Sequence, residues 1–175
     1  MSEQTPISEG WISWRRLMVK AIAATDGPIL ELGAGLGSTE FLHALADSQC
    51  RHLTTLDNNR EWVNKYAHLS SAMHSLQHVE NWDEAPLAIG RRWGCVLVDH
   101  APGERRVVEI RRLAPEADIL VVHDTEPAAR HGYGYDRAGI WNLFKFTRHD
   151  WPAGEGAAWA TALSNTVDVG AWQLQ

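Results

Sequence analysis

Five short apolar runs, each closed by turn residues and separated by helical patterns, constrain this chain more than any other feature. "PILELG" (28–33) and "HLTTLD" (52–57) are rich in β-formers, and "SLQHVE" (75–80) is a weaker run of the same kind. "WGCVLVD" (93–99) and "ADILVVHD" (117–124) are almost continuously apolar and end in an acid. Runs of that last kind suit central strands covered on both faces. Between them, helical spacing recurs over 39–48, 60–71 and 104–114, with Asn58 or Asn59 placed to cap the second helix. A first helix over about 11–25 puts Trp11, Trp14, Met18 and Ile22 on one stripe. Five βα units in succession predict a mostly parallel sheet with helices on both faces. After Asp124 the alternation breaks. "FKFTRHDW" (144–151) and "WATALSN" (159–165) read as two terminal strands forming an antiparallel, hairpin-like edge across the loop 152–157.

Composition narrows the classes. A length of 175 residues fits one domain over 1–175, with segment 1–26 expected on the substrate side. No run of 18 apolar residues is present, and the first ten residues lack a basic and then apolar leader, so the expectation is a cytoplasmic protein without a membrane span. A formal charge of −6 and a pI near 5.8 lack the basic footprint of a general nucleic-acid binder. Cys50 and Cys95 form no metal motif, and Cys95 lies inside the apolar run "CVLV", as a packing residue would.

The loop "ELGAGLGST" (31–39) links the first strand to the next helix. Glycine loops in that place often cradle phosphates, but this one lacks the lysine of GxxxxGK[ST]. A dinucleotide fingerprint counted from Gly33 needs its third glycine at 38, where serine stands; the glycine is at 37. Glu31, just before the loop, is a poor neighbour for a pyrophosphate and a good one for a cation. Asp57 ends the second strand, where an acid accepts hydrogen bonds from ribose hydroxyls.

These residues resemble the first motif of class I S-adenosylmethionine-dependent methyltransferases: an acid, a spacer and GxGxG. The resemblance spans residues 11–165 and implies a Rossmann-like, doubly wound α/β sheet of seven strands, mostly parallel with an antiparallel last strand. It implies S-adenosylmethionine as cofactor. Glu31 would help position the amino group, often through water, and Gly33, Ala34, Gly35, Gly37, Ser38 and Thr39 would surround the methionine end. Asp57 and Asn58 would meet the ribose, Asn81 and Trp82 the adenine, and Asp99 the cofactor's reactive end. Trp82 has a plainer alternative as a cover for the sheet edge.

Asp99 and His100 close the fourth strand, and His123 and Asp124 the fifth. Neighbouring strands lie about 4.8 Å apart, so four ionisable groups gather where the transferred methyl should project. One reading has Asp99, His123 and Asp124 holding a divalent ion that lowers the pKa of a substrate oxygen. This is similar to metal-dependent macrocin-type O-methyltransferases, except that an imidazole replaces one carboxylate, which suits a transition metal better than magnesium. A second reading makes His100 or His123 a general base. A third has His123 hydrogen-bonding the backbone at the strand end and Asp124 capping the following turn. Arg105 and Arg106 are expected chiefly as solvated charges, with contact to an acidic substrate or a neighbouring carboxylate as the alternative for one of them, and Tyr133 and Tyr135 either as an aromatic lid or as packing against the N-terminal helix. The expected reaction is methyl transfer to a small molecule at oxygen, with a homodimer plausible. The alternatives are a non-catalytic S-adenosylmethionine-binding subunit and an NAD-type nucleotide-binding enzyme.

Overall fold

Strand by strand, the apolar runs pair in the order β3-β2-β1-β4-β5-β7-β6. The computed structural model describes residues 12–151 and 158–174, so Trp11 and the 152–157 loop lie outside the described residues. The strands are β1 (Ile29–Leu32), β2 (Leu53–Asp57), β3 (His74–His78), β4 (Trp93–Val98), β5 (Ala117–His123), β6 (Phe146–Asp150) and β7 (Ala160–Ser164). The first five are parallel, whereas β7 runs antiparallel to both β5 and β6. The terminal pair therefore forms the expected antiparallel edge, with the last strand inserted between β5 and β6.

Helices α1 (Arg15–Ala23), α2 (Thr39–Ser48), α3 (Arg60–Lys65) and α4 (Arg106–Leu113) occupy the four predicted helical windows. The second window is shorter than its pattern: α3 stops at Lys65, a 3₁₀ turn covers Ala67–Leu69, and Asn59 is the cap, accepting from the Glu61 N–H at 2.9 Å. The segment after β5, where the sequence suggests an irregular stretch leading into a short helix, holds two short helices, α5 (Pro127–Gly132) and α6 (Tyr135–Ala138).

Alternation along the strands sorts the core into two layers. Ile29, Cys95, Leu97, Ile119 and Val121 pack with Trp14, Leu17, Met18 and Ile22 of the N-terminal segment and Leu42 of α2. Leu30, Leu32, Val96, Val98, Leu120 and Val122 pack on the other face with Ile110 and Leu113 of α4, Trp93 and Tyr135. Arg51, which carried no signal in the sequence, ties the end of α1 to the start of β1 by donating to the carbonyls of Ile22, Thr25 and Gly27. Cys95 is fully buried, as its apolar run predicts.

Register decides what meets at the top of the sheet. Leu32 pairs with Val98, and Val98 with Val122. The next residues, Gly33, Asp99 and His123, therefore leave three adjacent strands at one level.

Candidate active site

The 33–38 loop is held from below and from the side. Glu31 is fully buried and accepts from Thr55 Oγ1 at 2.7 Å and Thr39 Oγ1 at 3.2 Å. Thr39 Oγ1 in turn accepts from the Gly35 N–H at 3.0 Å. Asp57 accepts from the Ala34 N–H at 2.7 Å and the Asn59 N–H at 2.6 Å. Four of the loop's N–H groups, those of Gly33, Ala34, Gly35 and Ser38, are already satisfied by the protein, and two carboxylates stand behind the loop. A phosphate would find fewer donors here than the glycines suggest, and an unfavourable field.

Gly33 has φ +98°, and a Cβ there would lie 2.6 Å from the Asp99 carbonyl oxygen and 2.7 Å from His100 Cα. Its glycine is required by the close approach of the β1 and β4 exits. At Gly35 the nearest atom to an added Cβ is Ser38 Oγ at 3.3 Å.

Opposite the loop stand Asp99, His123 and Asp124. With Gly35, Leu36, Gly37, Ser38 and Trp62 they line a cleft of about 380 Å³, within the range of small-molecule sites. His123 Nδ1 lies 3.1 Å from Asp99 Oδ1 and 3.5 Å from Asp124 Oδ1, and its Nε2 lies 3.1 Å from Ser13 Oγ. Hydroxyl, imidazole and carboxylate form a line ending at the cleft. Asp124 has φ +53°, a region that non-glycine residues seldom adopt, though aspartate enters it more readily than most.

Arg106 corrects the sequence reading most sharply. It is buried, not solvated, and donates to Asp99 Oδ1 and Asp124 Oδ2 at 3.0 Å each, to the His100 carbonyl at 2.8 Å and to the His123 carbonyl at 3.2 Å. Arg105 is likewise paired, with Glu109 and Asp83. The missing signal is distance: both partners of Arg106 sit on other elements, which only the sheet register brings to the start of α4.

The remaining predicted residues divide. Asp99, His123, Asp124, Gly35, Gly37 and Ser38 line the cleft. Asn58, whose carbonyl lies 3.3 Å from His78 Nε2, sits beside β3. Asn81 caps a 3₁₀ turn by accepting from the Asp83 N–H at 3.0 Å and lines a separate polar depression with Arg60 and His78. Trp82 and His100 are buried away from the cleft lining, their rings 4.2 Å apart, and Trp82 Nε1 donates to the Ala101 carbonyl. Burial, with Arg106 nearby, lowers the His100 pKa to about 3. His100 is therefore neutral and placed as packing. Tyr135 is in the core and Tyr133 lies over Arg106, with the guanidinium carbon 5.2 Å from its ring centroid. Trp62, which the sequence reading passed over, is the aromatic residue that does line the cleft.

Asp99, His123 and Asp124 can each bring one ligand atom within 4.8 Å of the others, which matches the metal expectation by count. Their present bonding does not fit a divalent ion. His123 Nδ1 faces a carboxylate oxygen, an acceptor only, so that nitrogen carries the hydrogen and has no lone pair to give. The carboxylates already share one cation, Arg106.

No protein-family model and no curated protein sequence matches the chain. Solved structures do. Cofactor-bound Rv0187 from MTB superposes with a TM-score of 0.67 at 18% identity, over 94% of this chain and 84% of that one. The O-methyltransferase TomG from Streptomyces achromogenes, in complex with SAM, gives 0.63 at 15% identity over 91% and 81%. An rRNA methylase from Streptococcus thermophilus gives 0.57 at 13% identity over 95% and 100%. The fold is a methyltransferase fold. In this methyltransferase fold the seven strands, the adjacency of β4 and β5 and the antiparallel β7 agree with the sequence expectation.

Proposed function

We propose that the chain is an S-adenosylmethionine-dependent methyltransferase acting on a hydroxyl of a small, uncharged acceptor. The observation that carries this reading is the cleft itself. A glycine loop faces two carboxylates and an imidazole, and among the described residues no lysine or arginine lines the cleft: Arg15 donates to the Gly37 carbonyl from outside it, and Arg106 reaches the two carboxylates from behind. Such a wall complements a cationic ligand and repels a phosphate. It also disfavours an anionic acceptor such as RNA, although both small-molecule and RNA methylases share this fold.

S-adenosylmethionine, when bound, supplies a methyl group on a sulfonium. The chain's own residues do the rest. The loop fixes the amino-acid end through its remaining backbone donors and the N-terminus of α2. Asp57 borders the ribose, and Asp99 and Asp124 balance positive charge. His123 accepts the acceptor's proton at Nε2, its ring oriented by the Asp99 bond at Nδ1. Ser13 Oγ lies 3.1 Å from that nitrogen and outside the cleft lining, so it has to yield the nitrogen to the acceptor hydroxyl.

Calorimetric titration with S-adenosylhomocysteine and with NAD tests the cofactor, and the homocysteine compound alone should bind. Methyl-labelled cofactor offered to small-molecule extracts and to RNA tests the acceptor, with label expected only in the former. On the acceptor so found, His123→Asn should lower kcat by about 10²–10⁴-fold while leaving S-adenosylhomocysteine affinity nearly unchanged. Unaltered turnover in that variant would remove His123 from the reaction.

A further inference from the structure

We infer that the Arg106 guanidinium takes the electrostatic place of a divalent ion in this site, so that the chain fixes Asp99 and Asp124 without a metal. Its role as a positioning residue for the reaction rests on the methyltransferase reading; the exclusion of metal does not.

One guanidinium gathers both strand exits. Its Nη2 reaches Asp99 Oδ1, its Nη1 reaches Asp124 Oδ2 and the His123 carbonyl, and its Nε reaches the His100 carbonyl. An ion bridging two carboxylates would do the same, but it would leave the backbone of β4 and β5 unclasped. Arginine stays charged in any protein environment, so the site is never without its cation.

Charge decides the competition. Two carboxylates and one guanidinium sum to −1, and the imidazole, with its hydrogen on Nδ1, adds nothing while it is neutral. A monocation completes neutrality. A dication would overshoot it, sitting close to a buried guanidinium that cannot leave. It would also have to strip the hydrogen from His123 Nδ1 and break that nitrogen's bond to Asp99. The Asp99 side chain stays about a quarter exposed and lines the cleft, available to a cationic ligand there.

The test is titration of the full chain with manganese(II) and zinc(II) chloride. Wild type should bind neither with micromolar affinity. Arg106→Met keeps the side-chain bulk and removes the charge, so it should bind one ion roughly 100-fold more tightly than wild type. Adding Asp124→Asn should abolish the gain. Stoichiometric micromolar binding by wild type, lost in Asp99→Asn, would overturn the inference. So would a folded Arg106→Met, verified by circular dichroism, with no gain. Should that variant not fold, Arg106→Lys replaces it: the retained charge should still exclude both ions, and binding of either by the lysine variant overturns the inference. A parallel S-adenosylhomocysteine titration of wild type reports on the methyltransferase reading alone, since its failure leaves the metal result standing.

Discussion

A carboxylate with no solvent contact must find its partners inside the protein, and Glu31 finds hydroxyl groups. Burial raises its pKa to about 7, against smaller opposing effects from the hydroxyls of Ser38, Thr55 and Thr39. Thr55 Oγ1 also lies 2.9 Å from His74 Nε2, and His74 Nδ1 lies 3.0 Å from His43 Nδ1. A hydrogen-bonded chain thus runs from the half-buried His43 to the underside of the glycine loop. A cation bound above the loop favours ionised Glu31, so binding expels a proton wherever Glu31 was protonated. The affinity for S-adenosylmethionine should therefore rise with pH up to about 7, by at most about tenfold per unit, and level off above. Glu31→Gln should flatten the rise. Calorimetry in buffers of different ionisation enthalpy measures the released proton directly, and zero release by wild type below pH 7 would sink the idea. The sequence revealed Glu31 as an acid before glycines. It could not reveal its depth, which depends on Thr55 from β2 and Thr39 from α2 closing over it.

At the scale of elements, the loop and the start of α4 show what patterning can and cannot convey. Strands β1, β4 and β5 were legible because strands covered on both faces must be apolar throughout, and α2 because its period matches its burial. The loop was legible through glycine spacing, but its glycines do different work. Gly33 meets backbone atoms of Asp99 and His100 and holds a positive φ, while Gly35 has open space apart from Ser38 Oγ. Gly33→Ala should cost roughly 2–4 kcal/mol of stability, since neither backbone can yield cheaply. Gly35→Ala should keep the fold and lose S-adenosylhomocysteine affinity. Urea melts paired with ligand titration separate the two, and equal stability of both variants would refute the assignment. What the pattern could not convey is which side chains turn toward the cleft. Trp82 has the right place after β3 yet folds under onto His100, whereas Trp62 reaches the cleft from α3. Arg106 was hidden for the same reason, because a charge at a helix start reads as solvated until its partners are known.

Taken as a whole, the molecule buries imidazoles on both sides of its sheet, and this sets its response to acid. His74, bonded to Thr55 beneath the loop, has its pKa lowered to about 4 by burial and by His43. His100, stacked on Trp82 on the α4 face, has its pKa lowered to about 3 by burial and by Arg106. Both are neutral in the folded chain and would be protonated in the unfolded chain below about pH 6.5. Glu31 opposes them: with its pKa raised to about 7 it is protonated when folded and ionised when unfolded above about pH 4.3. Between about pH 6.5 and 4.5 the unfolded state therefore gains two protons at the histidines and loses one at Glu31. Stability should fall by about 1.4 kcal/mol for each unit of acidification from these three groups together. Replacing His74 and His100 by asparagine removes the two gains and leaves the loss, so the contribution changes sign. The double variant's stability should then decline less steeply than wild type's by about 2.7 kcal/mol per pH unit, the other titrating groups being common to both. Urea denaturation at half-unit steps across this window reads the difference in slope, and parallel slopes would mean that these histidines are not neutral in the fold.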